Sequence, residues 1–180
     1  MRRISAVAFT LVEMLVTLAI IGILAAMILP ALGRAKEGGR STFCQGNLHQ
    51  IGVALQMYVG ENRNRLPTMY DQSAGTNFQT NLATINSVLS NQLGSLQVLC
   101  CPSDTAGIFQ QTGSSYSWNN LLNGQDADHL QVFGTAYPLT TIPLVYDKQS
   151  FHSLLGSKRA VNYLYADSHI KNLLILGGTQ

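Results

Sequence analysis

Residues 8 to 32, AFTLVEMLVTLAIIGILAAMILPAL, form an apolar run interrupted by one acid, Glu13. From Met14 to Leu32 the chain holds no charged residue, and about 20 such residues let a helix cross a ~30 Å hydrocarbon core. A chain of 180 residues then has room for one span and one domain of moderate size. A cleavable secretory signal is the competing reading. Its apolar region runs ~7–15 residues before the cut, whereas this run is longer and Ala25-Ala26 offers only a faint cleavage site. Arg2 and Arg3 precede the run while Arg34, Lys36 and Arg40 follow it, so counting positive charges leaves the orientation open. An ionisable side chain such as Glu13 costs ~2.5–3.5 kcal/mol in a span, which calls for a compensating partner. Gly22 and Pro30 punctuate the same run; proline removes a helical hydrogen bond and glycine weakens the helix, so both are expected kink positions.

Charge narrows the function classes. Only 11% of residues are charged, against roughly 25% in an average soluble domain. Without residues 1 to 8, nine basic residues balance nine acids. No basic surface suited to nucleic acid is implied, and none is expected as a partner. Gly33 and Gly38 have the spacing of a phosphate loop, but Gly39 stands where its lysine belongs.

Past the weak patch GRAKEGGRS, Cys44, Leu48, Ile51, Leu55 and Tyr58 recur at helical intervals, an amphipathic stripe over 41–60 that should pack on a globular domain. The turn residues of ENRNRLP end that helix by Asn62. Leu82, Ile85, Leu89 and Leu93, with Gly94 as a stop, predict a short surface helix. Strand-like runs follow at 97–100, 115–118, 142–146, 160–166 and 170–176. Asp167-Ser168 should turn the fourth of these into the fifth. The pattern predicts an α+β fold: a long N-terminal helix, membrane-spanning in its first half and amphipathic in its second, packed on a small antiparallel sheet.

At its N-terminus the chain resembles the bacterial prepilins, a family that includes type IV pilins and type II secretion pseudopilins. The family carries a short basic leader ending in Gly, then Phe-Thr-Leu-Ile-Glu and a long apolar helix. Here MRRISAVA precedes Phe9-Thr10-Leu11-Val12-Glu13, and Ala8 replaces the Gly. The resemblance implies cleavage between Ala8 and Phe9 on the cytoplasmic side by a prepilin peptidase, and N-methylation of Phe9 by the same enzyme. The domain plan is then leader 1–8, assembly helix 9–32 and extracytoplasmic pilin-like domain 33–180. It also implies that Glu13, one helical turn from the new ammonium group, registers each incoming subunit against a filament. Gly22 and Pro30 match family positions where the helix kinks. Cys44, Asn47-Leu48, Gln50-Ile51-Gly52, Ala54 to Tyr58, Asn62 and Arg65-Leu66-Pro67 resemble prepilin-like proteins of the H-X9-DG type. That likeness extends to Asn162, Asp167 and His169, although Ser157 and Ser168 replace the defining His and Gly. A type I′ turn wants positive φ at both central residues, so another turn type, or strain at Ser168, is expected.

Of the three cysteines, Cys44, Cys100 and Cys101, either one disulfide forms from Cys44 to Cys100 or Cys101, or all three remain buried thiols. An oxidising compartment favours the bond, and closing such a loop contributes roughly 4 kcal/mol in the chain-entropy model. No cofactor is called for. Some pseudopilins hold calcium through carboxylate and carbonyl oxygens, which makes Asp126, Asp128, Asp147 and Asp167 candidate ligands. Asp147, His152, Asp167 and His169 can be assembled on paper into an acid–base set, and Asp126, Asp128 and His129 into a metal site. Their spacing selects no reaction, and an enzyme is not expected. The resemblance points to a structural subunit of a secretion pseudopilus or pilus-like filament in the bacterial inner membrane, C-terminal domain outside the cytoplasm. Its partners would be like subunits, the inner-membrane assembly platform, and lipid before assembly. The alternative is a membrane-tethered binding module for a glycan or protein that uses the prepilin segment for export only.

Overall fold

The computed structural model describes residues 10–72 and 83–172. Ala8, Phe9 and the leader lie outside the described residues, as do Leu82 and the end of the last expected strand.

Helix α1 is continuous from Leu11 to Glu61 and contains Pro30. The glycine-rich patch around Gly33, Gly38 and Gly39, read from sequence as a weak point, is helical throughout. Each glycine costs a helix about 1 kcal/mol, which weakens a turn without breaking a ladder that propagates through it. The chain divides into two units between Lys36 and Glu37, four residues beyond the expected end of the span. In the first unit every described residue from Thr10 to Lys36 is exposed. In the second, Cys44, Leu48, Ile51, Ala54 and Leu55 are buried in the core, with Tyr58 packed at its edge.

The sheet is antiparallel, in the order β1 (Tyr116–Trp118), β4 (Pro143–Asp147), β5 (Tyr163–Tyr165), β6 (Ile170–Lys171). Trp118 faces Val145, Val145 faces Leu164, and Leu164 faces Ile170, one apolar row across the sheet, with Leu164 turned toward α1. The contact is close: a Cβ added to Gly52 would lie 3.3 Å from the Leu164 methyls, so Gly52 lets helix and strand approach.

The connections depart from the sequence reading. Of residues 97–100, expected as a strand, the first three belong to a 3₁₀ turn, Leu96–Leu99, and Cys100 ends it. The Ser95 hydroxyl accepts the Gln97 N–H, and the turn seats Leu99 fully in the core. The surface helix expected around Ile85 is one turn, α2 (Ile85–Val88), and Ile85, with Leu89 and Leu93 beyond its end, is buried in the core. A further short helix, α3 (Ile108–Thr112), is capped by Asp104, whose carboxylate accepts the N–H groups of Ile108 and Phe109. A hairpin not foreseen joins β2 (Gln131–Val132) to β3 (Thr135–Ala136); Phe133 and Gly134 both have positive φ, as a type I′ turn requires. The expected strand at 160–166 pairs only over β5. Its turn into β6 is a three-residue loop, Ala166 to Ser168, closed by Ser168 N–H to Tyr165 C=O at 2.9 Å. Ser168 alone in that loop has positive φ, 71°, a left-handed final position that glycine favours. Gln56 on α1 donates to its hydroxyl at 2.7 Å.

Candidate functional site

Thr10 is the residue before α1, and its neighbours show what Glu13 does locally. Glu13 Oε2 accepts the Thr10 N–H and the Thr10 hydroxyl, each at 2.8 Å, while Thr10 Oγ1 accepts the Glu13 N–H at 3.2 Å. This reciprocal pair is a capping box, Thr-x-x-Glu, in which side chains satisfy backbone donors that the first helical turn leaves unpaired. In a medium without water an unsatisfied N–H costs several kcal/mol. Glu13 thus has an intrachain role that the sequence reading missed, although the spacing Thr10-x-x-Glu13 states it. The apolar helix that follows is, among the described residues, the one long and apolar enough to cross a membrane.

The second arrangement lies inside the globular unit. Cys44 on α1 and Cys101 are disulfide-bonded, Cα atoms 5.3 Å apart; Cys100 is free and partly buried. Burial first, then the negative charge of Asp104, push the Cys100 thiol up. Asn47, one turn beyond Cys44, donates to the Cys100 carbonyl and to the Tyr116 hydroxyl, which fixes the vicinal pair against the helix. His152 lies beside the disulfide with no exposed surface. Its Nδ1 is 2.7 Å from Glu37 Oε1, and its Nε2 is 3.5 Å from Asp147 Oδ2 and 3.8 Å from Cys101 Sγ.

Both carboxylates are buried, in different company. Burial alone would raise Glu37, but the Ser103 hydroxyl, the His152 imidazole and the Arg40 guanidinium outweigh it and hold the group below the usual carboxylate range. Asp147 is pushed up to about 7 by burial, against the opposing effect of the N–H and amide groups that Asn162 donates to Oδ2. The other oxygen, Oδ1, has no hydrogen-bond partner among the described residues. Asn162 closes the network, its Oδ1 accepting from Gln45 and Asn172.

The sequence candidates separate accordingly. Asp147 and His152 meet in the core, whereas Asp167 and His169 pair with each other at the β5–β6 turn. Asp126 and Asp128 share the Asn64 amide on an exposed loop, with His129 beside Asp126. Among the described residues no three carboxylates converge; the group with metal-ligand geometry is Cys44, Cys101 and His152. The four calcium candidates therefore do not form one site. Glu37 was not singled out from sequence, since it lies in the weak helical patch and nothing near it in sequence marks it as buried.

Fold and helix start define a pilin-like class of chain: one long helix, apolar and capped by a Thr–Glu box in its first half, carrying a small antiparallel domain on its second. Comparison with known proteins agrees over the first half of the chain. Residues 8–29 match the prokaryotic N-terminal methylation motif, and residues 33–95 match a family described as protein of unknown function (DUF1559). Type II secretion system core protein G of Pseudomonas aeruginosa is 36% identical over 62 residues, which cover 34% of this chain and 44% of that protein. The chain thus spans less than half the length of this curated relative. No solved structure matches the chain. Its N-terminal half thus resembles prepilin-like chains, through the methylation motif and the type II secretion relative.

Proposed function

We propose that the protein is a structural subunit of a pseudopilus or pilus-like filament, exported as a prepilin, cut between Ala8 and Phe9 and N-methylated on Phe9. The observation that carries this reading is the first half of α1, where every apolar side chain from Leu11 to Leu32 is exposed. Such a face needs lipid or other apolar helices around it, and a filament of like subunits supplies the second once the chain leaves the membrane. Before assembly the span lies in the bacterial inner membrane, with the C-terminal domain outside the cytoplasm. The disulfide Cys44–Cys101 supports that side, because such bonds persist in oxidising compartments. Prepilin peptidase, an inner-membrane assembly platform and related pilin-like subunits are its partners.

Glu13 serves twice in this reading. Within the chain its Oε2 closes the capping box. Between chains its remaining lone pairs take the Phe9 ammonium of a neighbour, so a charge that is costly alone becomes part of a pair. Shearing of cells expressing the protein with its assembly partners should release it in filaments recoverable by sedimentation. Protein held strictly as a membrane-bound monomer would instead favour a tethered binding module.

A further inference from the structure

We propose that in its dithiol form, the form in which the chain is synthesised, Cys44, Cys101 and His152 bind one Zn²⁺ with Asp147 as fourth ligand. The disulfide and the metal are then alternative cross-links of the same residues. Ligand atoms of the two cysteines and His152 lie within 4.8 Å of one another, and all three residues are buried. Tetrahedral zinc with Zn–S ≈ 2.3 Å and Zn–N ≈ 2.0–2.1 Å places sulfur and nitrogen about 3.6 Å apart and two sulfurs about 3.8 Å apart. Cys101 Sγ and His152 Nε2 are already 3.8 Å apart. Rotation about the two Cα–Cβ bonds separates the sulfurs once their bond is broken.

The surroundings are those of a metal-binding histidine. Glu37 Oε1 lies 2.7 Å from His152 Nδ1, so in the neutral imidazole Nδ1 carries the proton and Nε2 presents its lone pair. Zinc-bound histidines are held this way by carboxylates. Among the described contacts Nε2 faces a disulfide sulfur and a carboxylate oxygen, neither of which offers an N–H. Asp147 supplies a second, independent sign: it is 2% exposed, and its Oδ1 has no hydrogen-bond partner among the described residues. Four protein ligands with no open position make a structural site, not a catalytic one.

The step balances without further components. The two thiols lose their protons to solution as thiolates, neutral His152 and ionised Asp147 complete the set, and no electrons move. Going back to the disulfide releases the metal and passes two electrons to an oxidant of the disulfide-exchange class.

The test uses the full chain in detergent micelles, with Cys100→Ser so that only two thiols remain. A water-soluble phosphine reduces the disulfide, water supplying the oxygen of the phosphine oxide and protons for both sulfurs. Cobalt(II) should then bind one per chain, with a thiolate-to-metal charge-transfer band and the visible bands of tetrahedral cobalt, and Zn²⁺ should displace it. The oxidised chain should show neither. Glu37→Gln should keep the stoichiometry and weaken binding about 10–100-fold, which a merely structural Glu37 would not do. If the reduced metal-free chain loses its structure, Zn²⁺ should restore the circular dichroism of the native domain. Failure of zinc to restore it, absence of the charge-transfer band, or an unchanged band and affinity in Cys44→Ser would overturn the site.

Discussion

Glu13, in the apolar first half of α1, and Asp147, buried in the core, can each be tested by removing charge while keeping shape. Glu13→Gln preserves the capping box, since glutamine serves at that position as well as glutamate, but abolishes the charge. Insertion should be as good or better, because the span becomes more apolar. If the carboxylate holds a neighbour's ammonium, filament yield at matched membrane levels should fall about tenfold or more, because an unpaired buried ammonium costs several kcal/mol. Normal filaments from Glu13→Gln would leave capping as the residue's whole role. Asp147 makes stability depend on pH. Its folded pKa, about 7, lies above the ordinary aspartate value of 3.8, so between these values the folded state binds the proton that the unfolded state has lost. Stability must then decline as pH rises from about 4 to about 7 and level off above. Glu37, held low, acts oppositely: the stability it adds is present above its unfolded pKa and is lost as pH falls through its folded one. Asp147→Asn should remove the decline and raise the urea midpoint at about pH 8 relative to wild type. An unchanged slope between about pH 5 and about pH 8 would show that Asp147 is not the titrating group.

Among the elements, the disulfide between α1 and the segment before α3 carries the most testable energy. It joins residues 57 apart, and the chain-entropy model assigns such a closure about 4 kcal/mol. Cys44→Ala in the disulfide background should therefore lower stability by roughly that amount, read from denaturant unfolding of the full chain. Thiol titration of unreduced, denatured protein should find one reactive thiol, Cys100; three would contradict the bond. The long helix and the strands β1, β4 and β5 were legible because their patterns are strong: an uninterrupted apolar run, a helical stripe from Cys44 to Tyr58, and β-branched and aromatic runs between turns. The 3₁₀ turn at Leu96–Leu99 was not, because Leu-Gln-Val-Leu suits a strand equally well and only the Ser95 cap and the core position of Leu99 decide it. The β2–β3 hairpin was missed because Phe133 is an unusual residue at a left-handed position. The cluster around His152 was out of reach for another reason: Glu37 and Cys44 on α1 meet Cys101, Asp147 and His152 from three distant segments, and local spacing does not report a meeting made by the fold.

For the whole molecule, one chain combines two halves that ask for different surroundings. The first half of α1 exposes apolar side chains along its described length, and the globular unit buries a full core beneath its sheet. A prepilin reconciles the two by carrying the span in lipid until partner helices replace it. Prepilin processing decides how the mature chain begins, and mass spectrometry of protein purified from native membranes reads that directly. The mature chain should start at Phe9 with one added methyl group on its amine. An intact leader, or a chain starting near Ala26 as a secretory signal would leave it, would rule out prepilin processing.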